Sequence, residues 1–130
     1  MSLSESYDAC MQQKGLPLLG DIFSQKSLTE ILEVFEEIDQ ALEGAGGKEI
    51  TFTALPAAAT AAGATLSPAT LEVVGVLAGA AADLVAFFYM TSAANCLSLA
   101  IVKNALVAEL DAAPDGTFKE QVEAQAEGVA

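Results

Sequence analysis

The sequence predicts an all-α fold, a helical bundle in which acidic amphipathic helices wrap a central hydrophobic hairpin rich in Ala, Gly and Val. The first observation is composition: apolar residues make up 53% of the 130 residues, but aromatic residues only 6%. Ala and Leu favour helices, whereas strands favour β-branched and aromatic residues. The second is helical spacing of apolar residues, and the third is the distribution of charge along the chain. At this length we expect one domain, residues 1–130.

Charge divides the chain into three zones. Residues 1–49 carry ten acids and three lysines, and residues 103–130 carry six acids and two lysines. Residues 50–102 contain two charged side chains, Glu72 and Asp83, and no lysine. We therefore expect acidic amphipathic helices in the first zone, a hydrophobic helical core or hairpin in the second, and an acidic helix and tail in the third.

The clearest helix of the first zone is the segment SLTEILEVFEEIDQALEG. Ser27 is a good N-cap, Glu30 completes a capping box, and the run GAGG at 44–47 ends the helix. One face of this helix carries apolar side chains at helical spacing: Leu28, Ile31, Leu32, Phe35, Ile38 and Leu42. The other side carries glutamates, which we interpret as a solvated face because no His accompanies them: Glu30, Glu33, Glu36, Glu37 and Glu43.

The central zone begins with a short β-like run. Residues 50–53 are either a brief strand or the lead into a helix that has Pro56 in its first turn. Ser67 and Pro68 then form an N-cap and first helical position, from which a helix can run to Met90.

The third zone completes the predicted helices. After a bend near Thr91, we expect a further helix over about residues 93–110. The run APDG at 113–116 is a turn, and a short acidic helix follows from Thr117.

The predicted helix from Ser67 to Met90 carries two carboxylates in an apolar setting. Glu72 and Asp83 are eleven residues apart, which at 100° per residue is three turns plus about 20°. They therefore share one narrow stripe with small residues, a seam suited to helix packing or to a membrane: Glu72, Gly75, Gly79, Asp83 and Ala86. The remaining circumference is apolar and includes Leu77, Leu84, Phe87 and Phe88.

Two environments remain open for this helix. It is either the central helix of a soluble bundle, packed against the apolar face that begins at Leu28, or a membrane span whose acids face a pore or partner. In both environments we expect Asp83 to matter more than any other single charge, because burial of an ionised carboxylate is costly.

Several function classes are excluded by the residue types that the chain lacks. It has no His, no Arg and no Trp, so we expect no catalytic constellation, no cofactor and no metal site, and we do not expect an enzyme. A pI near 4.1 argues against nucleic acid as a partner. Cys10 and Cys96 fit no metal-ligand spacing, and we expect reduced, partly buried thiols; a disulfide is the alternative.

The uncharged segments ALPAAATAAGATL and EVVGVLAGAAADLVAFFYM, set between acidic helices, resemble the hydrophobic helical hairpin of pore-forming bacterial toxins. These are the colicin-type domains and the small pore-forming effectors delivered between bacteria. The resemblance is one of pattern, covers the central zone and assigns no individual residue. It implies an antibacterial effector, soluble until its hydrophobic hairpin is exposed to a bilayer.

Two hypotheses of function follow from this pattern. The first is a non-enzymatic, membrane-targeting and pore-forming effector whose partner is a lipid bilayer. The second is an acidic helical adaptor, such as an immunity protein or secretion chaperone, that binds a partner protein. A homo-oligomer that buries the apolar zone between chains is compatible with either. The N-terminus MSLSESYDAC lacks the pattern of a signal peptide, so we expect synthesis in the cytoplasm and, for an effector, secretion by a leaderless route.

Overall fold

The structure is a computed structural model that describes residues 2–46 and 49–129. These residues form eight helices and no strand, which confirms the all-α class. The helices are α1 (Leu3–Gln13), α2 (Gly20–Phe23), α3 (Leu28–Ala45), α4 (Leu55–Ala61), α5 (Pro68–Ala80), α6 (Ala86–Lys103), α7 (Val107–Ala112) and α8 (Thr117–Val129).

Helix α3 forms as its sequence predicts. Its capping box joins Ser27 to Glu30 in both directions, and the helix ends at Gly46, whose φ of 66° lies in the left-handed region that favours glycine. Gly47, the last residue of the GAGG run, lies outside the described residues. All six side chains of the predicted apolar face are buried. The ring of Phe35 contacts three other rings, those of Tyr7, Phe23 and Phe118.

The centre of the fold is α6, and not the predicted helix from Ser67 to Met90. Helices α1 and α8 both pack extensively along α6. The side chains that α6 turns toward them are fully buried, among them Tyr89, Ala93, Cys96 and Leu97. Helix α3 packs against α4, α5 and α8 as well as α6, so its apolar face is shared among several helices.

The predicted helix over 67–90 is wrong because the chain is two helices there, separated at residues 81–85. The interruption coincides with backbone pairing to the segment that precedes α4. The amide of Ala86 donates to the carbonyl of Ile50 at 2.8 Å, and the amide of Phe52 donates to that of Leu84 at 3.4 Å. Thr51 and Val85 form an isolated antiparallel bridge. Residues 50–53 thus pair briefly like a strand, and α4 follows with Pro56 in its first turn.

The predicted boundaries of the next helix are also wrong. Helix α6 runs through Thr91 without interruption and ends at Lys103 instead of near residue 110. The chain then turns through Ala105, which has a positive φ of 57°, before α7 begins at Val107. The acidic helix expected from Thr117 is present as α8.

Three carboxylates of this acidic chain join one helix to the start of another. Asp8 of α1 accepts from the amide of Leu19 at 3.0 Å, at the start of α2. Two glutamates of α3 act in the same way: Glu37 accepts from the amide of Ser67 at 2.7 Å, before α5, and Glu36 from that of Lys119 at 2.9 Å, in the first turn of α8. Unpaired amides at helix starts favour such anions. The solvated-face interpretation is therefore wrong for Glu36 and Glu37.

Two of these contacts require glycine at the receiving helix. A Cβ at Gly20 would collide with the carboxylate of Asp8, and a Cβ at Gly116 would collide with that of Glu36. The carboxylates approach the backbone so closely that only the absence of a side chain leaves room.

Lys119 is a buried lysine that closes the turn between α7 and α8. Its Nζ donates to the carbonyl of Ala113 at 2.7 Å and lies 3.2 Å and 3.5 Å from the carboxylates of Asp115 and Glu123. Desolvation lowers the pKa of Lys119, but the two carboxylates outweigh it, and the net shift is upward. Lys119 therefore stays charged and satisfies a carbonyl at the end of α7.

Candidate functional surface

The predicted seam lies largely on the surface instead of between helices of this chain. Glu72, Gly75 and Gly79 lie on the exposed side of α5, and a Cβ built at either glycine would meet no described residue within 4 Å apart from its chain neighbours and the backbone of α5 itself. Asp83 is exposed in the turn after α5, whereas Ala86, the first residue of α6, is buried. Because the helix is broken at residues 81–85, Glu72 and Asp83 do not share one helix, as the stripe required.

The predicted apolar face is also divided between core and surface. Leu77 is buried in the core, and Leu84 is half-buried. Phe87 and Phe88 are exposed to 42% and 66%, with ring centroids 6.2 Å apart. Two adjacent exposed phenylalanines are unusual, because phenylalanine side chains are normally buried in the protein interior.

The exposed side of α5 is nearly free of charge along its whole length. We call it the α5 face; its residues are Leu71, Glu72, Gly75, Val76, Gly79 and Ala80. Leu71 and Val76 are exposed to 45% and 41%, and Glu72 is the sole charged residue of the set. The turn that carries Asp83 follows directly in the chain, and then the pair Phe87 and Phe88. Exposed apolar residues clustered on a surface, such as those of the α5 face, commonly mark a protein or membrane contact.

A groove beside the α5 face extends its apolar surface. It has a volume of about 300 Å³ and lies where Val76 of α5 meets Leu18 and Ile22 of the α2 region. Leu18 is exposed to 45%. Asp8 and Asp21 also line the groove. Burial raises the pKa of Asp8, the amides of Leu19 and Gly20 oppose that rise, and the charge of Asp21 adds to it.

Two further features of the described residues concern metal binding and membrane crossing. Among residues 2–46 and 49–129, no three side chains of His, Cys, Asp or Glu are grouped so that they could hold a metal ion. Within the same residues one helix, α6, is long and apolar enough to cross a membrane. Its mean hydropathy is 1.2 and 56% of it is buried in the fold, as in the core helix of many soluble proteins.

Three contacts join α1 to α6 and to the residue after it, and of these the sequence offered only the disulfide, as an alternative to free thiols. Cys10 and Cys96 form a disulfide, so the expectation of reduced thiols is wrong. The hydroxyl groups of Tyr7 and Tyr89 are hydrogen-bonded at 2.9 Å, and burial raises the pKa of both. Nδ2 of Asn104, just after α6, donates to Oγ of Ser6 at 3.1 Å. The even number of cysteines was the one signal in the sequence that could have indicated any of these contacts.

Comparison of the chain with models of protein families, with curated proteins and with solved structures yields no match. The feature of this protein that bears on function is the surface described above. Its distinguishing feature is an exposed, nearly uncharged helix face followed by two exposed phenylalanines, in a protein of net charge −13.

Proposed function

We propose that the protein is a non-enzymatic, membrane-targeting effector that docks on a lipid bilayer through the α5 face and the pair Phe87 and Phe88. One observation carries the proposal: these residues expose large apolar side chains on one run of chain, whereas the outward sides of α1, α3, α7 and α8 carry acids. The resemblance to pore-forming effectors adds a second step, in which the central zone enters the bilayer after docking.

The apolar side chains supply the attraction in this proposal. Full burial of a phenylalanine side chain contributes about 1.5–3 kcal/mol, and both phenylalanines are far from fully buried in the protein itself. Phenylalanine and leucine are typical of the membrane-facing side of helices that lie in the lipid interface. Docking through this face would also keep the acidic helices away from the lipid.

Charge opposes the attraction and makes it dependent on pH. A net charge of −13 is repelled by anionic lipid at neutral pH, so zwitterionic lipid is the better surface there. The chain has no His, so its carboxylates are the groups that change charge as the solution is acidified. Two carboxylates lie on or next to the α5 face: Glu72 belongs to it, and Asp83 follows it in the chain. We expect lipid binding and leakage to rise as the pH falls toward about 4.

The proposal is tested by flotation with phosphatidylcholine vesicles, comparing the wild type with a Phe87→Ser and Phe88→Ser double variant. We expect the variant to bind at least about 30-fold more weakly, which corresponds to about 2 kcal/mol of lost apolar burial. A matched control is the Val107→Ser and Val129→Ser double variant, which removes two exposed apolar side chains from α7 and α8. The control should bind like the wild type.

Equal binding by the wild type and the phenylalanine variant would refute docking through this surface. A single tryptophan gives an independent measurement, because the chain contains none. Phe88→Trp should show a blue-shifted emission when vesicles are added, and quenching by brominated lipid. Release of an enclosed dye, measured in the same samples, separates docking from pore formation.

An acidic adaptor is the second candidate function, and the outward side of α3 favours it. Glu30, Glu33 and Glu43 are exposed there, so a basic partner surface would find a row of carboxylates. Absence of vesicle binding between pH 7 and pH 4, with the protein still soluble, would favour this candidate over the membrane proposal.

A further inference from the structure

We infer that the disulfide between Cys10 and Cys96 is a redox lock, which holds α6 in the soluble fold until a dithiol reductant releases it for entry into a bilayer. The inference rests on the proposed membrane function and names its regulation. It separates two events, docking through the α5 face in the oxidised protein and insertion of α6 in the reduced protein.

The position of the bond makes it a lock on the relevant helix. Helix α6 is the one helix of the described residues that could cross a membrane, and Cys96 lies near its middle. The bond fixes this point to Cys10 of α1, with 5.5 Å between the two Cα atoms. Any movement of α6 out of the fold must therefore take α1 with it.

Entry of the oxidised protein would carry charge into the hydrocarbon. If α6 spanned a bilayer, Cys96 would lie near its midplane, and Cys10 beside it. Asp8 is two residues from Cys10 in the same helix, about 3 Å along the axis, and Glu5 is one turn further. The hydrocarbon is about 30 Å thick, so both carboxylates would lie inside it, which is strongly unfavourable. Reduction removes this constraint, since α6 itself has one charged residue, Lys103 at its last position.

Cys10 is the more accessible of the two cysteines. Cys96 is fully buried, whereas Cys10 is half-buried and lines a groove of about 370 Å³. The groove lies between α1, the second half of α6 and the end of α8, and Lys103 is among its lining residues. A positive side chain at the groove favours the approach of a thiolate anion to this acidic protein.

The reaction is a thiol–disulfide exchange in two steps. A thiolate of the dithiol attacks Sγ of Cys10, the S–S bond breaks, and the sulfur of Cys96 leaves as a thiolate that takes up a proton. The second thiol of the reductant then attacks the mixed disulfide through its own sulfur and releases Cys10 as a thiolate. The reductant is oxidised to a disulfide, and the two electrons and two protons that it gives up reduce Cys10 and Cys96 to thiols.

Non-covalent contacts keep the reduced protein folded in water. The hydroxyl pair of Tyr7 and Tyr89 and the hydrogen bond from Asn104 to Ser6 still join α1 to the α6 region after reduction. These contacts can break when lipid is present, because no covalent bond prevents α1 from separating. The lock therefore acts on separation of the helices and not on folding alone.

The test compares oxidised and dithiothreitol-reduced wild type for binding to phosphatidylcholine vesicles and for release of an enclosed dye. We expect both forms to bind, and the reduced form to release dye at least about tenfold faster, since it leaves the α1 carboxylates outside. The Cys10→Ala and Cys96→Ala double variant should release dye at the reduced rate with or without reductant. Circular dichroism establishes that each form is helical before lipid is added.

A matched control separates the lock from a general loss of stability. Tyr89→Phe removes the buried hydroxyl pair between α1 and α6 but leaves the disulfide intact. The oxidised Tyr89→Phe variant should bind vesicles and release dye no faster than the oxidised wild type. Equal release by oxidised and reduced wild type, or fast release by oxidised Tyr89→Phe, would overturn the lock while leaving docking established. Failure of every form to bind would instead refute the proposed function on which the lock rests.

Discussion

Helices α3 and α5 both bury an apolar side, but their outward sides differ in kind. The exposed residues of α3 include Glu30, Glu33 and Glu43, which water solvates without difficulty. The exposed residues of α5 include Leu71 and Val76, with Glu72 as the single acid. Hydration of the charged side chains explains why the outward side of α3 is exposed. The apolar side chains on the outward side of α5 are not stabilised by contact with water, so hydration does not explain their exposure.

In each helix, the residues that pack in the core can be distinguished from the residues that are exposed to the surroundings. In α3 every large apolar side chain is used by the core, so its sequence is explained by the fold of this chain. In α5 the core uses Thr70, Val73, Val74 and Leu77, and Ala69 and Ala78 pack partly against it, whereas Leu71 and Val76 remain exposed. That surplus is the reason for assigning the contact surface to α5.

The largest expected effect compares two phenylalanines, one on the buried side of α3 and one exposed near the start of α6. Phe35→Ala removes a fully buried ring that contacts three others, and should lower the free energy of unfolding by about 3–5 kcal/mol. Phe88→Ala removes a ring that is 66% exposed and should change it by less than about 0.5 kcal/mol. Urea denaturation measures both. Similar losses for the two variants would mean that Phe88 belongs to the core.

The next effect tests the carboxylates by which α3 holds its neighbours. Glu37→Ala removes the acceptor for the amide of Ser67, at the start of α5, and should cost about 1–2 kcal/mol of unfolding free energy. Glu33→Ala, in the same helix but exposed, is the control and should stay within about 0.5 kcal/mol of the wild type. If the two variants melt alike, the carboxylate of Glu37 does not stabilise α5.

A smaller effect depends on pH and concerns Asp39 of α3. Burial raises its pKa above the ordinary 3.8, and the charges of Glu36 and Glu43 add to the rise. The folded state thus binds this proton more tightly than the unfolded state, so the contribution of Asp39 to stability falls as the pH rises above 3.8. Asp39→Asn should raise the melting temperature at pH 7, by a stabilisation below about 1 kcal/mol. The gain should vanish below pH 3.8; a gain that persists there would have another cause.

The smallest effect corrects an expectation from the sequence about Asp83. That side chain is exposed in the turn between α5 and α6 and not buried in a helix seam. Asp83→Asn should therefore leave the free energy of unfolding within about 0.5 kcal/mol of the wild type. A change of 1–3 kcal/mol, the range for a buried polar group, would instead mean that Asp83 is buried, as the predicted seam required. Vesicle binding is the measurement in which this variant should differ, because the substitution removes one negative charge next to the α5 face and should strengthen binding.

The features that the sequence by itself determined are those set by neighbouring residues. The all-α class, the capping box of Ser27 and Glu30, the buried face of α3 and the first turn of α4 at Pro56 all depend on residues within a few positions of one another. The scarcity of charge in the central zone can likewise be read from the sequence alone. The α5 face carries little charge because its residues belong to this zone.

Contacts between distant residues were decided only by the tertiary structure. Pairing of Ile50 with Ala86 accompanies the break in the predicted helix, and the disulfide joins residues 86 positions apart. In the sequence, Glu36 and Glu37 cannot be distinguished from solvated glutamates. In the structure they accept hydrogen bonds from backbone amides at the starts of α8 and α5, respectively. Local spacing carries no information about such partners, because each contact exists only when the packing of whole helices brings its two sides together.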